Sequence, residues 1–527
     1  MKEQGDILNN KKMLNVLLAI IWIAQLLIEG LTFGIVWKLD MLPVLYLAVI
    51  AVLLVLFWVL TGVLLFRSKK PGKNGRKIVA LILVIVIILG CSGVSSVVSR
   101  LSKTVNNVTG NKEITTLMTV YVRTGDPAQQ ISDAKNYTFA VMKEAGAEKT
   151  RKAVIALEEE LDVTLNTAEY ATTVEMADAL YNGEVEAILT SSAYLGMLED
   201  LNGYKDYEMK MRVLHEVPVV EYVTEIGGSS SENVSVSNRP VVGGNKNEGN
   251  QSSGQVEASV TNTPFIVYLS GNDTRTTTLV TSRSDTNILA VVNPVTKQIL
   301  LVNTPRDYYI PHPNAPNGQR DKLTHLGNDG IECSIRGLEA LYDERVDFYA
   351  QINFTGFETL IDAIGGVDVY FDHYFVARGK TPIYAGENHL TGEVALQVAR
   401  DRGSFSDGDN ARGRHQMKII KAVVEKLMSG AIIANYEAIL DSLEGMFVTD
   451  IERSDVSKLV KMQLSDLASW NILTYAVTGA DANDYTYTAG YAYVMYPDQS
   501  MVDFGKDLID RVVSGEILTD QDVVYPG

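Results

Sequence analysis

Three long apolar runs open the chain, roughly Leu14–Trp37, Leu42–Phe66 and Ile78–Val98. Each is close to the ~20 residues that a spanning helix needs, so residues 1–104 are expected to hold three transmembrane helices, at about 14–37, 42–66 and 78–98. The connection Lys38-Leu39-Asp40 is short and nearly neutral, whereas the next one, RSKKPGKNGRK (Arg67–Lys77), carries six basic residues and no acid. The positive-inside rule places that loop, together with Lys11 and Lys12, in the cytoplasm. The third helix then delivers everything after Ser99 to the outside of the cell membrane.

Beyond residue 114 the period shortens and alternates. Leu117–Arg123 reads as a strand, Ala134–Ala145 and Lys149–Leu161 as helices, Val174–Tyr181 as a short helix, and Val185–Leu189 and Val213–Val223 as strands. Residues 114–225 are therefore expected to form a small α/β accessory domain. Residues 227–262 are rich in Gly, Ser and Asn with no apolar period, which reads as a flexible linker. From Pro264 the pattern is strongly α/β again, over a domain spanning 264–515. Phe265–Leu269 is a buried strand. Asn287–Asn293 and Gln298–Thr304 form a hairpin around the turn residues Asn293-Pro294-Val295-Thr296-Lys297. His325–Tyr342, Gly356–Ala363, Thr391–Ala399 and Asn410–Met428 read as helices, with strands at Phe348–Asn353 and Val367–Phe371. After Gly430, the amphipathic stretches Arg453–Leu467 and Ser500–Val513 and the Tyr-rich Tyr475–Met495 are expected to complete the same sandwich. Tyr485, Tyr487, Tyr491 and Tyr493 alternate as on one sheet face.

Charge narrows the partners. The formal net charge is −18, yet residues 1–104 carry +8, which leaves −26 on the rest. A basic membrane end followed by an acidic remainder argues against nucleic acid. The two cysteines, Cys91 and Cys333, are far apart, so the core rather than a disulfide must hold the fold.

The candidate chemistry is gathered at two places. Antiparallel pairing of the hairpin brings Arg283 and Asp285 at its entrance beside Arg306 and Asp307 at its exit. Val398–Gln416 (VARDRGSFSDGDNARGRHQ) then packs four arginines and three aspartates, with no lysine, into nineteen residues. Arginine suits bidentate phosphate recognition. Carboxylates among the arginines would neutralise them unless a Mg²⁺ and a multiply charged anion complete the site. These residues point to an extracellular, Mg²⁺-dependent pyrophosphate site.

Many spaced motifs in this region resemble the LytR-CpsA-Psr family of cell-wall glycopolymer transferases. They are Arg283-Ser284-Asp285-Thr286, Pro305-Arg306-Asp307, Lys322-Leu323-Thr324-His325, Val346–Phe357, Gly365–Val369, Gly386–Ala395, Arg400-Asp401-Arg402 and Asp409-x-x-Arg412-x-x-x-Gln416. The resemblance implies an α/β/α sandwich that moves a glycan phosphate from a polyprenyl-pyrophosphate lipid to peptidoglycan. Asp273 and Asp285 would then hold Mg²⁺ (or Mn²⁺), while Arg283, Arg306, Arg400, Arg402, Arg412 and Gln416 would grip the pyrophosphate. Asp409 would accept a proton or orient an arginine; with Arg306 and Asp285 it forms the implied catalytic set. The apolar residues after Gly366, and those of the helix from Asn410, would line a prenyl slot. His415 stands where the family often has Arg, which would weaken the anion grip or make it pH-dependent. Met176–Leu198 resembles part of one lobe of the type II periplasmic solute-binding proteins and implies a fold, not a ligand. Two other readings stay open: a pyrophosphatase that uses water at the same site, and a membrane sensor built on the accessory domain.

Overall fold

The computed structural model describes residues 2–67, 75–108, 113–222, 258–405, 408–428, 439 and 442–526. Most of the expected linker, and Asp407, lie outside these. The chain divides into two compact units, Met1–Asn107 with Arg453–Leu467, and Val108–Glu452 with Ala468–Gly527.

The first unit is built on α1 (Lys2–Leu39), α2 (Val44–Phe66) and α3 (Gly75–Val108), of which 13–39, 44–66 and 75–99 are long and apolar enough to cross a membrane. Trp22 of α1 and Trp58 of α2 stack with ring centroids 4.1 Å apart, and a methyl at Gly62 would run into the Trp22 ring. The helix Arg453–Asp466 belongs to this unit and not to the sandwich, a correction to its expected place. It meets the connection between α1 and α2 and the first turn of α2: Lys461 Nζ lies 2.6 Å from Asp40, and the Tyr46 hydroxyl donates to the Leu464 backbone carbonyl at 3.2 Å. Amphipathicity marks a helix that has a partner without saying which one.

The second unit contains two principal sheets. The first has five strands, β1 (Glu113–Arg123), β2 (Thr138–Met142), β3 (Asn166–Tyr170), β4 (Ala187–Ser191) and β5 (Met211–Tyr222), in the order β3-β2-β4-β1-β5. It is packed by α4 (Ala147–Leu161) and α5 (Thr173–Asn182). The helix expected over 134–145 is absent: a single 3-10 turn, Ile131–Ala134, leads into β2. Phe139 to Met142 is a continuous apolar run, a pattern that fits a strand buried on both sides as well as a helix, and pairing with both β3 and β4 decides for the strand.

The second sheet has six strands: β6 (Phe265–Asn272), β7 (Ser284–Asn293), β8 (Gln298–Asn303), β9 (Phe348–Asn353), β10 (Phe447–Thr449) and β11 (Asn471–Ala476), ordered β10-β9-β6-β7-β8-β11. Ile266 and Tyr268 alternate onto the face covered by α6 (Ile331–Tyr342) and by a C-terminal helix, Gln499–Ser514. On the other side lie α7 (Phe354–Ala363), α8 (Gly392–Ala399) and α9 (Gly408–Met428). The result is the expected α/β/α sandwich. The helix expected over His325–Tyr342 is broken at Gly330, whose φ of +110° no side chain adopts easily.

The β7–β8 hairpin closes as its turn chemistry predicts: the Asn293 side chain accepts from the amides of Val295 and Thr296, and Lys297 sits at φ +54°. A register shift between Gly271 and Asn272, opposite Ser284–Thr286, bulges the end of the β6–β7 pair. A Cβ at Gly271 would lie 2.8 Å from the Thr286 side chain. Such bulges re-aim the side chains that follow them, here Asp273 and Arg283. A last hairpin, Gly479–Thr486 with Gly490–Pro497, leaves Tyr485, Tyr491 and Tyr493 on an exposed face, whereas Tyr487 lies past the strand end and packs into the core of the five-stranded domain.

Candidate active site

At the bulged end of the six-stranded sheet, two arginines are fixed by carboxylates of their own domain. Arg283, nearly buried, gives Nε and Nη2 to Asp273 Oδ2 at 2.8 and 2.5 Å. Arg306 gives Nη1 to Asp285 Oδ1 at 2.5 Å, and its Nε lies 3.6 Å from Asp307. Paired, hydrogen-bonded burial is the condition under which a guanidinium can leave water. Burial alone would raise the carboxyl pKa of Asp285, but Arg306, Arg283 and Arg412 outweigh it and hold it well below the usual carboxylate range. Asp307 is held low in the same way by Arg306, Lys322 and Arg402. Asp273 and Asp285 also outweigh the burial of Arg283 and keep it protonated.

The other predicted residues gather around this pair. Arg400 follows the C-terminus of α8 and lies over the Phe354 ring at 4.3 Å. Arg402 lies 3.6 Å from Asp307. Arg412 is buried on the first turns of α9, close enough to lower the pKa of both Asp285 and Asp307. Gln416, one turn further along, donates to the Ala399 carbonyl at 3.0 Å, which ties α9 to the end of α8. Asp409 is on α9, and its side chain lies outside the described residues. His415 is buried among Phe371, Phe375 and Phe405, stacked on Phe375 with centroids 5.1 Å apart.

Two hollows meet this cluster. One is an apolar cavity of about 210 Å³ between the sheet and α7–α9, lined by residues that include Leu269, Phe357, Leu396 and Val424, with Arg400 and Gln416 at its polar end. The other is a polar recess of about 260 Å³ lined by Asp200, Arg306, Asp307, Lys322, Arg402 and Tyr493. Asp200, Lys322 and Tyr493 are site residues that the sequence did not assign. Lys322 stood in a recognised motif without a role, but nothing local could connect Asp200 with arginines 83 and 106 residues away in the chain. Asp273 and Asp285 offer oxygen donors at the ends of adjacent strands, both acting on Arg283. That donor type fits Mg²⁺, which is commonly held by one or two carboxylates and substrate phosphates.

The sequence model of the LytR_cpsA_psr family matches residues 230–509, over half of the chain. The chain belongs to that family. The match starts downstream of the five-stranded domain and covers the arginine–aspartate network. A relative from Enterococcus faecalis, "Polyisoprenyl-teichoic acid--peptidoglycan teichoic acid transferase TagU", is 34% identical over 198 residues, covering 37% of this chain and 64% of the relative. The protein of the same function named TagT, from Bacillus subtilis, is 29% identical over 255 residues, covering 46% of this chain and 76% of the relative. Among solved structures, "TagT bound to LI-WTA" is 25% identical, covers 48% of this chain and 91% of its own, and superposes with a TM-score of 0.39.

Proposed function

We propose that this LytR_cpsA_psr member is a membrane-anchored extracellular phosphotransferase that moves a glycopolymer from a polyprenyl-pyrophosphate lipid to peptidoglycan. The observation that carries the proposal is the adjacency of a buried arginine cluster, suited to a pyrophosphate, and an apolar cavity, suited to the lipid tail. The teichoic acid and peptidoglycan in the relatives' names support the donor and acceptor classes. The basic Arg67–Lys77 loop supports a cytoplasmic N-terminus and an outward catalytic domain.

In this reading, an acceptor hydroxyl attacks the glycan-proximal phosphorus. A new P–O bond forms, the bond to the bridging oxygen breaks, and polyprenyl phosphate leaves with the electron pair. Arg283 and Arg306 bind the phosphoryl oxygens in the plane of their guanidinium groups, and Arg400, Arg402 and Arg412 meet the charge that gathers on the leaving phosphate. Catalysis of this kind is positioning and charge stabilisation more than covalent chemistry. Mg²⁺ held by Asp273 and Asp285 would neutralise further negative charge. Asp409 is proposed to take the hydroxyl proton, or to orient an arginine while the proton departs on the leaving polyprenyl phosphate. The α8–α9 cavity holds the prenyl chain and keeps water from the bridging oxygen.

The test is product analysis with a lipid-linked donor, with and without peptidoglycan. Covalent glycan on the acceptor is expected only when peptidoglycan is present. Release of free glycan phosphate at the same rate in both arms would make the protein a hydrolase instead.

A further inference from the structure

Each of the two central arginines has one edge held by its own domain and another turned to the five-stranded domain. Arg283 uses Nε and Nη2 on Asp273, while Nη1 reaches the Gly196 carbonyl at 3.1 Å and Asp200 Oδ2 at 3.3 Å. Arg306 uses Nη1 on Asp285, while Nη2 donates to the same Asp200 Oδ2 at 2.6 Å. Glu199 lies 3.5 Å from Arg283 Nη2. One carboxylate oxygen from another domain thus bridges both guanidiniums, at a place where a phosphoryl oxygen would make the same two bonds. The bridge comes from a 3-10 turn, Gly196–Asp200, that is pinned by buried Met197 and Leu198 while Glu199 and Asp200 project from it. The Asp200 side chain is 28% exposed, so it can rotate into water without unpacking the turn.

We infer that Asp200 is a built-in competitor for the pyrophosphate, a displaceable anion by which the five-stranded domain sets how readily the site accepts its lipid donor. This rests on the donor-site reading above. The carboxylate is tethered, so it competes at a high effective concentration. A pyrophosphate with more charge and more oxygens displaces it, and whatever draws the 196–200 turn away from the arginines raises donor affinity. By linkage, donor binding frees that turn in return.

The test uses the full chain in detergent with Mg²⁺ and farnesyl pyrophosphate as the probe, at one fixed salt concentration. Wild type, Asp200→Asn and Arg306→Ala are compared by titration calorimetry, and hydrogen exchange is followed over residues 196–201 of the wild type. The expected results are binding about tenfold tighter in Asp200→Asn, no binding in Arg306→Ala, and faster exchange over 196–201 once the probe is bound. Equal or weaker binding by a folded Asp200→Asn overturns the inference while leaving the donor site intact. If Asp200→Asn does not fold, exchange in the wild type decides, and unchanged or slower exchange overturns it. If wild type binds the probe no better than Arg306→Ala, the donor-site reading itself fails, and this inference with it.

Discussion

At the scale of the residue, Arg306 is the point on which the site turns, because its guanidinium meets Asp285, Asp200 and Asp307. Removing it leaves buried carboxylates without their counter-charge, a loss of about 3–5 kcal/mol for a broken buried pair. Arg306→Ala should therefore lower the melting temperature as well as abolish glycopolymer attachment. Arg306→Lys keeps one charge but not the fork, so it should recover much of the stability and little of the transfer rate. A thermal melt beside a transfer assay separates the two effects. The acid limb of stability has a definite sign. Asp285 and Asp307 titrate lower in the folded chain than unfolded, so their contribution is whole above the unfolded carboxylate pKa of about 3.9 and is lost as pH falls toward the folded values. Melting temperature against pH should fall below about pH 4, and Asp285→Asn should flatten that fall.

At the scale of the element, the helices over the apolar cavity are held by close backbone contact. A Cβ at Gly392 would lie 2.1 Å from the Glu358 carbonyl oxygen, at the α7–α8 crossing. Gly392→Ala must push α8 away and carry Arg400 and Arg402 with it, at a cost of about 1–3 kcal/mol for overpacking. A lowered melting temperature together with weakened pyrophosphate binding is expected. Val424→Trp, by contrast, fills the apolar cavity from α9. It should weaken binding of a long prenyl pyrophosphate at least tenfold while leaving inorganic pyrophosphate bound, which parallel titrations would show. Equal losses for both ligands would place the prenyl chain elsewhere.

At the scale of the whole molecule, three helices long and apolar enough to cross a membrane precede two α/β domains. The positive loop between α2 and α3 sets the expected orientation. In intact cells, Ser68→Cys should resist an impermeant thiol reagent and Thr263→Cys should react with it, the native Cys91 and Cys333 being buried. The reverse pattern would invert the topology and remove access to an external acceptor.

Much of this molecule is legible along the chain. The spans follow from apolar length, and the β7–β8 hairpin follows from its alternation and its Asn-Pro turn. Arg283, Asp285, Arg306 and the Arg400–Gln416 set stand out because ionised groups are clustered where packing has no use for them. These are local signals, carried by neighbours within one or two turns of chain. Other features depended on contacts between distant segments. Whether 138–142 would be strand or helix rested on the vacancy between β3 and β4. Whether the helix Arg453–Asp466 would cover the sandwich or join the membrane helices rested on which surface its polar face could meet. His415, an expected weak point in the anion grip, is turned into an aromatic cluster by the rotation of α9. Asp200, an ordinary surface acid by its neighbours, reaches the arginines only because its domain packs there. Periodicity and charge fix what a segment can become, but which partner satisfies it is decided by burial and electrostatic pairing across the folded chain, and those are properties of no single stretch.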